Sequence, residues 1–434
     1  MLELLRPADP MPARLWELVA VFVLGSILAA LRIPVRAWES PWAEDAYEFL
    51  HRASTHHGPL GGLAELVHPY AGYAAAYQRV VAWLVTFLPV PSQGVAISLS
   101  GALTQAGVAV LAYVTVKAMA GSRAPAAFVA AWVVALPLGQ EVVDNLANTA
   151  WFLLFGSILV VFWRPRGTTG AVTAALVLAF AALSTPFGVG SVVLAALVWW
   201  VTRDAEMRPM VLAGIVAAAT QVVVMLTAPA RTMGTYPNPP LELLRGWLRR
   251  VAGDGVLGVG RYDPEQHVHP DVTVGVLVVL VAALMAALVA WSKGVAAVSL
   301  PAVLLAGSLV LFTVTLLPLK VTTVLVPEAS RYFVVPALMF LTALALLVST
   351  LHRAPTLSRL LRSGVALAVA GACLFGVLSS WHANDMGRSA RPTWQSQVAV
   401  ARADCANHSA RHREVLAVSP VGWRAVFSCR YLTR

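Results

Sequence analysis

Two adjacent carboxylates, Glu44 and Asp45, are the residues of this chain best suited to chemistry. They stand in the stretch WAEDAYEFLHRA, which has the composition of a helix lying at a surface. Neighbouring side chains on a helix diverge by about 100°, so only one of the pair can point straight into a given pocket. A carboxylate there can act as a general base, or the pair can hold a divalent cation, Mg²⁺ or Mn²⁺. The alternative is an acidic helix start, which the helix dipole favours without any chemistry.

Cationic and amide side chains elsewhere could complete such a site. An anionic leaving group needs positive charge near its oxygens, although long basic side chains also serve as plain surface anchors. Residues three and four apart share a helical face, where amides and carboxylates either bind a hydroxyl-rich ligand or cap a short helix. The candidate cations are His68, Arg79, Lys320 and Arg331, and the candidate polar face is Glu141, Asn145 and Asn148.

The elements that must position these residues are apolar helices. Of the 434 residues, 59% are hydrophobic and only 12% are charged, against about 25% charged in a soluble domain. Apolar runs of about 17–25 residues are long enough to cross a bilayer as helices. The sequence therefore predicts an all-α polytopic membrane protein with about eleven spans, near 15–33, 92–120, 124–138, 149–163, 170–185, 187–202, 209–228, 272–291, 295–317, 331–351 and 363–380.

Basic residues cluster in alternate loops, and these loops are predicted to be cytoplasmic. The N-terminus is then inside the cell and the C-terminus outside, and the first apolar run is a retained helix because no small-residue cleavage site follows it. The formal net charge of +10 is interpreted as a topology signal and a contact with anionic lipid rather than with nucleic acid.

Two predicted outer loops, 34–91 and 229–271, are longer than a helix connection requires, which is typical of functional loops. The second contains PPLELLRGWLRRVAG, whose leucines, Trp247 and Val251 repeat at helical spacing opposite three arginines. This pattern predicts a helix lying in the membrane interface, either as an anchor or as part of a site.

Residues 381–434 are predicted to form a small outer tail, separate from a membrane domain of residues 1–380. A short alternating stretch at 414–418 favours one β-hairpin. An oxidising compartment would let Cys405 and Cys429 pair, although sequence alone leaves two unpaired thiols open. The chain contains no P-loop, CxxC pair, HExxH or GxSxG motif, which excludes the usual P-loop, zinc and serine-hydrolase sites.

Several of these motifs, taken in order, resemble the GT-C superfamily of membrane glycosyltransferases. The similar segments are WAEDAYEF, HPYAGYAAAYQRVVAW, NLANTAWFL, STPFG and SRYFVVP, and the resemblance covers about residues 15–350. It implies an inverting transferase of the bacterial plasma membrane that takes a sugar from a polyprenyl-phosphate donor to an envelope glycan, lipid or protein acceptor on the outer face.

The resemblance assigns the base to the acidic pair, with Asp45 favoured over Glu44, and leaves the need for a metal open because the usual pattern is Asp-Asp or Asp-Glu. Tyr70 and Tyr73 of the HPYAGYA stretch are further candidates for contact with the sugar or acceptor. The alternative from another class is a secondary transporter or a lipid or glycan flippase. A non-catalytic assembly factor and a polysaccharide polymerase are weaker alternatives. Transporters tend to carry charges near the bilayer midplane, whereas the charges here map to loops and helix ends.

Overall fold

A computed structural model describes residues 13–56, 59–66, 68–138, 140–165, 167–229, 238–258, 272–317, 330–381 and 387–434. In this part of the chain, seven helices are long and apolar enough to cross a membrane, which makes the protein a helical membrane protein. They are Val90–Ala120, Gly167–Ser184, Ala205–Thr227, Val272–Lys293, Val295–Leu316, Arg331–His352 and Arg359–Ser379.

Four shorter apolar helices occupy the other predicted spans: Leu15–Ala30, Arg123–Ala135, Thr149–Val161 and Gly188–Thr202, the last being helical from Pro186. All eleven predicted positions therefore hold apolar helices. Because a helix of 13 residues rises only about 20 Å, less than the hydrocarbon thickness, the count of eleven crossings stays a prediction.

The remaining elements are short and lie between the apolar helices or in the tail. The helical ones are Val35–Trp38, Asp45–Leu50, His51–Thr55, Pro59–Glu65, Ala76–Val85, Gln140–Val142, Pro240–Trp247, Leu248–Gly253, Asp254–Leu257, Arg388–Ala390, Trp394–Cys405 and Cys429–Leu432. Two antiparallel hairpins pair Pro69–Tyr70 with Tyr73–Ala74 and Arg413–Ala417 with Arg424–Ser428.

Helix Arg331–His352 is the centre of the bundle, because 89% of its most apolar stretch is buried. The Val272–Lys293, Val295–Leu316 and Arg359–Ser379 helices are 22%, 22% and 11% buried. Apolar side chains that remain exposed on such helices face lipid in a membrane protein. The described helices thus form a packed centre with a lipid-facing rim.

A second hydrophobic core joins the first long loop to the tail. Phe49 and Leu50 of the loop pack with Trp394, Val398 and Phe427 of the tail. The Trp394 backbone N–H donates to the Glu39 carbonyl over 2.7 Å, and its indole N–H donates to the Val90 carbonyl over 2.8 Å. The predicted outer tail packs against the loop that carries the acidic pair, and its division from the membrane domain stays a prediction.

The tail itself contains the predicted hairpin and a Cys405–Cys429 disulfide, with the two Cα atoms 5.4 Å apart. A cross-link across 24 residues restricts the unfolded tail. Cys373 is a buried free cysteine.

The amphipathic segment after residue 239 is helical as predicted, but its buried face differs from the prediction. Arg250 was assigned to the polar face, yet it is buried and its Nη1 donates to Asp254 over 3.0 Å. Leu244 was assigned to the apolar face and is 41% exposed. The buried face instead runs through Leu243, Trp247 and Asp254, a helical repeat that is displaced from the predicted one and includes Arg250.

Candidate functional site

A cavity of about 460 Å³, called here the site cavity, opens where six apolar helix ends meet the first long loop. Three helices that contribute residues begin there and three end there. The contributing residues are Trp151, Pro186 and Arg331 at helix starts, and Ser184, Met225 and Thr315 at helix ends. The loop adds Glu44 and the hairpin at Tyr70–Tyr73. Polar groups of the loop thus lie beside the ends of apolar helices.

Glu44 is the carboxylate of the acidic pair that lines the site cavity. The Tyr70 hydroxyl donates to its Oε1 over 3.0 Å, which leaves its second oxygen available for a ligand. Tyr70 is held by the hairpin, whose turn residues Ala71 and Gly72 have φ values of 52° and 88°. Two positive φ values give the tight turn that matches strand twist, and at Ala71 this conformation stores about 1 kcal/mol of strain.

Asp45 is fully buried and does not line the site cavity. Its Oδ1 accepts the Ala147 backbone N–H over 2.7 Å, and its Oδ2 accepts the Leu146 N–H over 3.2 Å. Burial raises the pKa of Asp45 to about 7, against the two amide bonds and the Arg388 charge, which lower it. Asp45 therefore fastens the 145–148 turn to the loop, and the cavity position that the sequence favoured for it belongs to Glu44.

The acidic pair does not fit a divalent cation held by both carboxylates. Both Asp45 oxygens are engaged by backbone amides, and one Glu44 oxygen is engaged by Tyr70. A hard cation such as Mg²⁺ takes six oxygen ligands, but the pair offers the cavity a single free oxygen.

Arg331 is a cation that lines the site cavity together with Glu44. Its Nη1 donates to Glu141 over 2.5 Å and its Nη2 to the Tyr332 hydroxyl over 3.3 Å. A guanidinium has five N–H donors in a fixed fork, so donors remain for a ligand. Arg331 keeps 28% of its side chain exposed, whereas Glu141 keeps 3%. Glu141 is thus a buried partner that holds the Arg331 side chain in position.

The polar face predicted for Glu141, Asn145 and Asn148 is not helical. The segment begins with a single 3₁₀ turn, Gln140–Val142, and then reverses at Asp144 with φ 48°. The Asn145 and Asn148 amides both donate to the Glu141 carbonyl, over 2.6 and 3.2 Å. Of the three predicted contacts, the structure brings Asn148 to the cavity lining, and the other two support the turn.

Arg79 and His68 are absent from the cavity lining. Arg79 is buried, and its two Nη atoms donate to Glu48 and Glu65, each over 2.9 Å. Arg52 also binds Glu65, so these charges form one network within the first long loop. Burial and the nearby arginines lower the pKa of His68. Lys320 lies outside the described residues.

Sequence reasoning missed several residues of the site cavity. Gln78 is buried there, with its Nε2 on the Ala147 carbonyl over 3.3 Å and its Oε1 without a partner in the described part of the chain. Trp151 packs edge-on against Tyr332, with ring centroids 5.4 Å apart. The available signals were a glutamine one residue before a basic residue in the YQR motif, and aromatic residues placed at the first turn of apolar helices.

Arg388 of the tail binds two segments that lie next to the site cavity. It is 2% exposed, and its guanidinium donates to the Ser40, Val143 and Asp144 carbonyls over 3.0–3.2 Å. One side chain thus ties the loop before Glu44 to the turn that holds Asp45. Gly101 allows this turn to pack closely, because a Cβ there would lie 2.6 Å from the Asn145 nitrogen.

The chain matches no model of a known protein family, and a search of curated proteins finds no match.

Proposed function

We propose that this protein is an inverting glycosyltransferase of the GT-C type, which moves a sugar from a polyprenyl-phosphate donor to an acceptor of the cell envelope. The observation that carries the proposal is the site cavity, where a carboxylate, a guanidinium, amides and aromatic rings meet at one end of an apolar helical bundle. Ligand sites typically combine an apolar wall with a few convergent polar groups.

Glu44 is the general base of the proposed reaction. The acceptor hydroxyl attacks the anomeric carbon from the side opposite the phosphate and passes its proton to the free oxygen of Glu44. The new acceptor oxygen–carbon bond forms as the carbon–oxygen bond to phosphate breaks, and the electron pair leaves with the polyprenyl phosphate. A positioned base contributes about 10² to 10⁴ in rate. Tyr70, which donates to Glu44 over 3.0 Å, orients this carboxylate.

Arg331 stabilises the leaving phosphate in this proposal. Negative charge accumulates on the phosphate oxygens as the bond breaks, and a preorganised cation lowers the energy of that state. Arg331 suits this role because Glu141 and Tyr332 fix its fork on one side while part of it stays exposed to the cavity. A guanidinium also recognises phosphate oxygens in pairs.

The sugar is assigned to the polar part of the cavity beside Gln78 and Asn148, both of which are buried. Buried amides that lose water must be paired, so they favour a ligand with hydroxyl groups. Tyr73 and Trp151 supply flat apolar walls. The prenyl chain is assigned to the bilayer side, where Met225 and Thr315 lie at the ends of lipid-facing helices.

The outer face of a bacterial plasma membrane is the proposed location of the site. The tail that packs on the catalytic loop carries the Cys405–Cys429 disulfide, and disulfides persist in oxidising compartments outside the cytosol. Two basic residues that are predicted to be cytoplasmic bind the same carboxylate of the first helix, Glu17. Lys117 lies 2.8 Å and Arg123 2.7 Å from it. This arrangement agrees with a cytoplasmic N-terminus.

The test is a donor panel on purified full-length protein in proteoliposomes. Polyprenyl phosphates carrying different labelled hexoses or pentoses are supplied with a crude envelope acceptor, and release of free polyprenyl phosphate is followed. The proposal expects cleavage of at least one donor and transfer of its label to the acceptor. Recovery of every donor intact, or its movement across the bilayer without cleavage, would overturn the proposal in favour of a transporter or flippase.

A further inference from the structure

Three potential metal ligands meet on the tail, away from the site cavity. The ligand atoms of Asp404, His408 and His412 all lie within 4.8 Å of one another. His408 Nδ1 lies 3.7 Å and His412 Nε2 lies 4.0 Å from the same Asp404 oxygen, Oδ2. Two imidazoles and a carboxylate are the ligand types that zinc takes in sites with three protein ligands.

The spacing of these atoms is close to that of a zinc site. With bonds of about 2.0–2.1 Å and tetrahedral angles, ligand atoms stand about 3.3 Å apart. The two distances to Asp404 must therefore shorten by less than about 1 Å, and the distance between the two nitrogens, which is within 4.8 Å, by at most about 1.5 Å. The two imidazoles are stacked, with ring centroids 4.1 Å apart and an interplanar angle of 16°. Binding requires His408 Nδ1 to exchange its 2.9 Å contact with the Asp404 carbonyl oxygen, and His412 Nε2 its 3.1 Å contact with Glu414 Oε1, for a bond to the ion.

The backbone beneath the cluster is held in place by the disulfide. Asp404 directly precedes Cys405, and the Cys429 N–H donates to the His412 carbonyl over 2.8 Å. The intervening turn is closed by the His408 N–H on the Cys405 carbonyl over 3.2 Å. Both segments that carry the ligands are thus fixed next to one covalent cross-link. This reduces the conformational entropy that the chain loses when an ion binds.

Glu414 adds a second carboxylate next to His412. Its Oε1 lies 3.1 Å from His412 Nε2 and is buried, with no hydrogen-bond partner in the described residues that satisfies the usual geometry. Because this Nε2 is the same atom that faces Asp404, Glu414 contributes negative charge beside the ion rather than a hydrogen bond to the far side of the ring. The exposed Arg411 and Arg413 flank His412 in sequence and oppose a cation, so the negative charges of Asp404 and Glu414 are needed to offset them.

We propose that Asp404, His408 and His412 bind a divalent transition-metal ion of the zinc type, with the negative charge of Glu414 beside them. The site is independent of the proposed glycosyltransferase reaction because none of its residues lines the site cavity. Exposure of His408 leaves an open coordination position to solvent or to a ligand group of the acceptor.

The test measures zinc bound to the untagged full-length protein in detergent. The protein is stripped with a chelator, equilibrated against buffered free zinc, and analysed by elemental mass spectrometry and for thermal stability. We expect about one zinc per chain and a raised melting temperature, since an ion that binds the folded state stabilises it. Loss of one ligand in His408→Ala or Asp404→Asn should weaken binding at least about tenfold.

The matched control is His56→Ala, because His56 is also exposed and contacts a carboxylate, Glu65, over 3.1 Å. It should bind zinc as the wild type does. His408 is largely exposed, so its substitution leaves the fold intact even if His412→Ala does not. Equal zinc binding by wild type and His408→Ala, or no binding by the wild type, would overturn the proposal, whatever the transferase assay shows.

Discussion

Replacing Asp45 by asparagine should cost stability rather than remove the chemical base. Asp45 is 0% exposed and accepts two backbone N–H groups, from Leu146 and Ala147. Asparagine keeps one acceptor and turns an amide donor toward the other N–H, and each unsatisfied buried donor costs about 1–3 kcal/mol. Asp45→Ala removes both acceptors and should cost about twice as much.

The penalty should depend on pH in a defined direction. Burial raises the pKa of Asp45 to about 7, above the value of about 3.9 for an unfolded aspartate. The folded state therefore binds the proton more tightly, and this contribution to stability is present below pH 4 and lost as the pH rises through about 7. Between pH 5.5 and 7 the wild type loses about 2 kcal/mol through this group, so the penalty of Asp45→Asn should shrink by that amount.

The assay follows thermal unfolding of both proteins at pH 5.5, 6.5 and 7.5, together with donor cleavage at a temperature where both remain folded. Taking the difference between the variants cancels the other titrating groups, including Asp144, whose pKa burial also raises to about 7. Glu44→Gln serves as control, because glutamine still offers Tyr70 an oxygen acceptor. A folded Asp45→Asn with wild-type stability at pH 5.5 and no donor cleavage would refute the reasoning and return the base role to Asp45.

Three further changes test other parts of the account. Arg79→Met should lower the free energy of unfolding by about 1.5–3 kcal/mol, measured by thermal or denaturant unfolding, because Glu48 and Glu65 lose a buried charged donor and keep only their other contacts. Tyr70→Phe should lower donor turnover about tenfold with unchanged stability, because one hydrogen bond to Glu44 is worth about 1.4 kcal/mol. Arg331→Gln should raise the KM for the lipid-linked donor at least about tenfold in steady-state assays, since it removes a charged donor to phosphate.

The helices could be predicted because apolar length alone determines them. Runs of 17–25 apolar residues leave the backbone no other way to satisfy its hydrogen bonds in lipid. The order of the motifs also placed Glu44, Tyr70, Asn148 and Arg331 in one candidate site, and these four line one cavity. This worked because helix ends that alternate along the chain must return to the same end of a bundle.

The roles within the acidic pair could not be predicted, because they depend on local geometry. The segment Asp45–Leu50 is a π-helical turn, which the 3.6-residue period does not anticipate. The hairpin at Tyr70 was missed because its turn is Ala-Gly rather than the usual Asn-Gly. Arg79 was predicted to bind the donor phosphate, because its ion pairs with Glu48 and Glu65 depend on the fold and cannot be seen in the sequence. Arg388 is some 250 residues from the turn it supports.

The most direct measurement compares the initial rate of donor cleavage by Glu44→Gln and Glu39→Gln with that of the wild type. Glu39 is a neighbouring carboxylate of the same loop whose side chain does not line the site cavity, so its substitution controls for the loss of one charge. The account predicts a fall of about 10² to 10⁴ for Glu44→Gln and a wild-type rate for Glu39→Gln. Cleavage at the wild-type rate by a folded Glu44→Gln would contradict it.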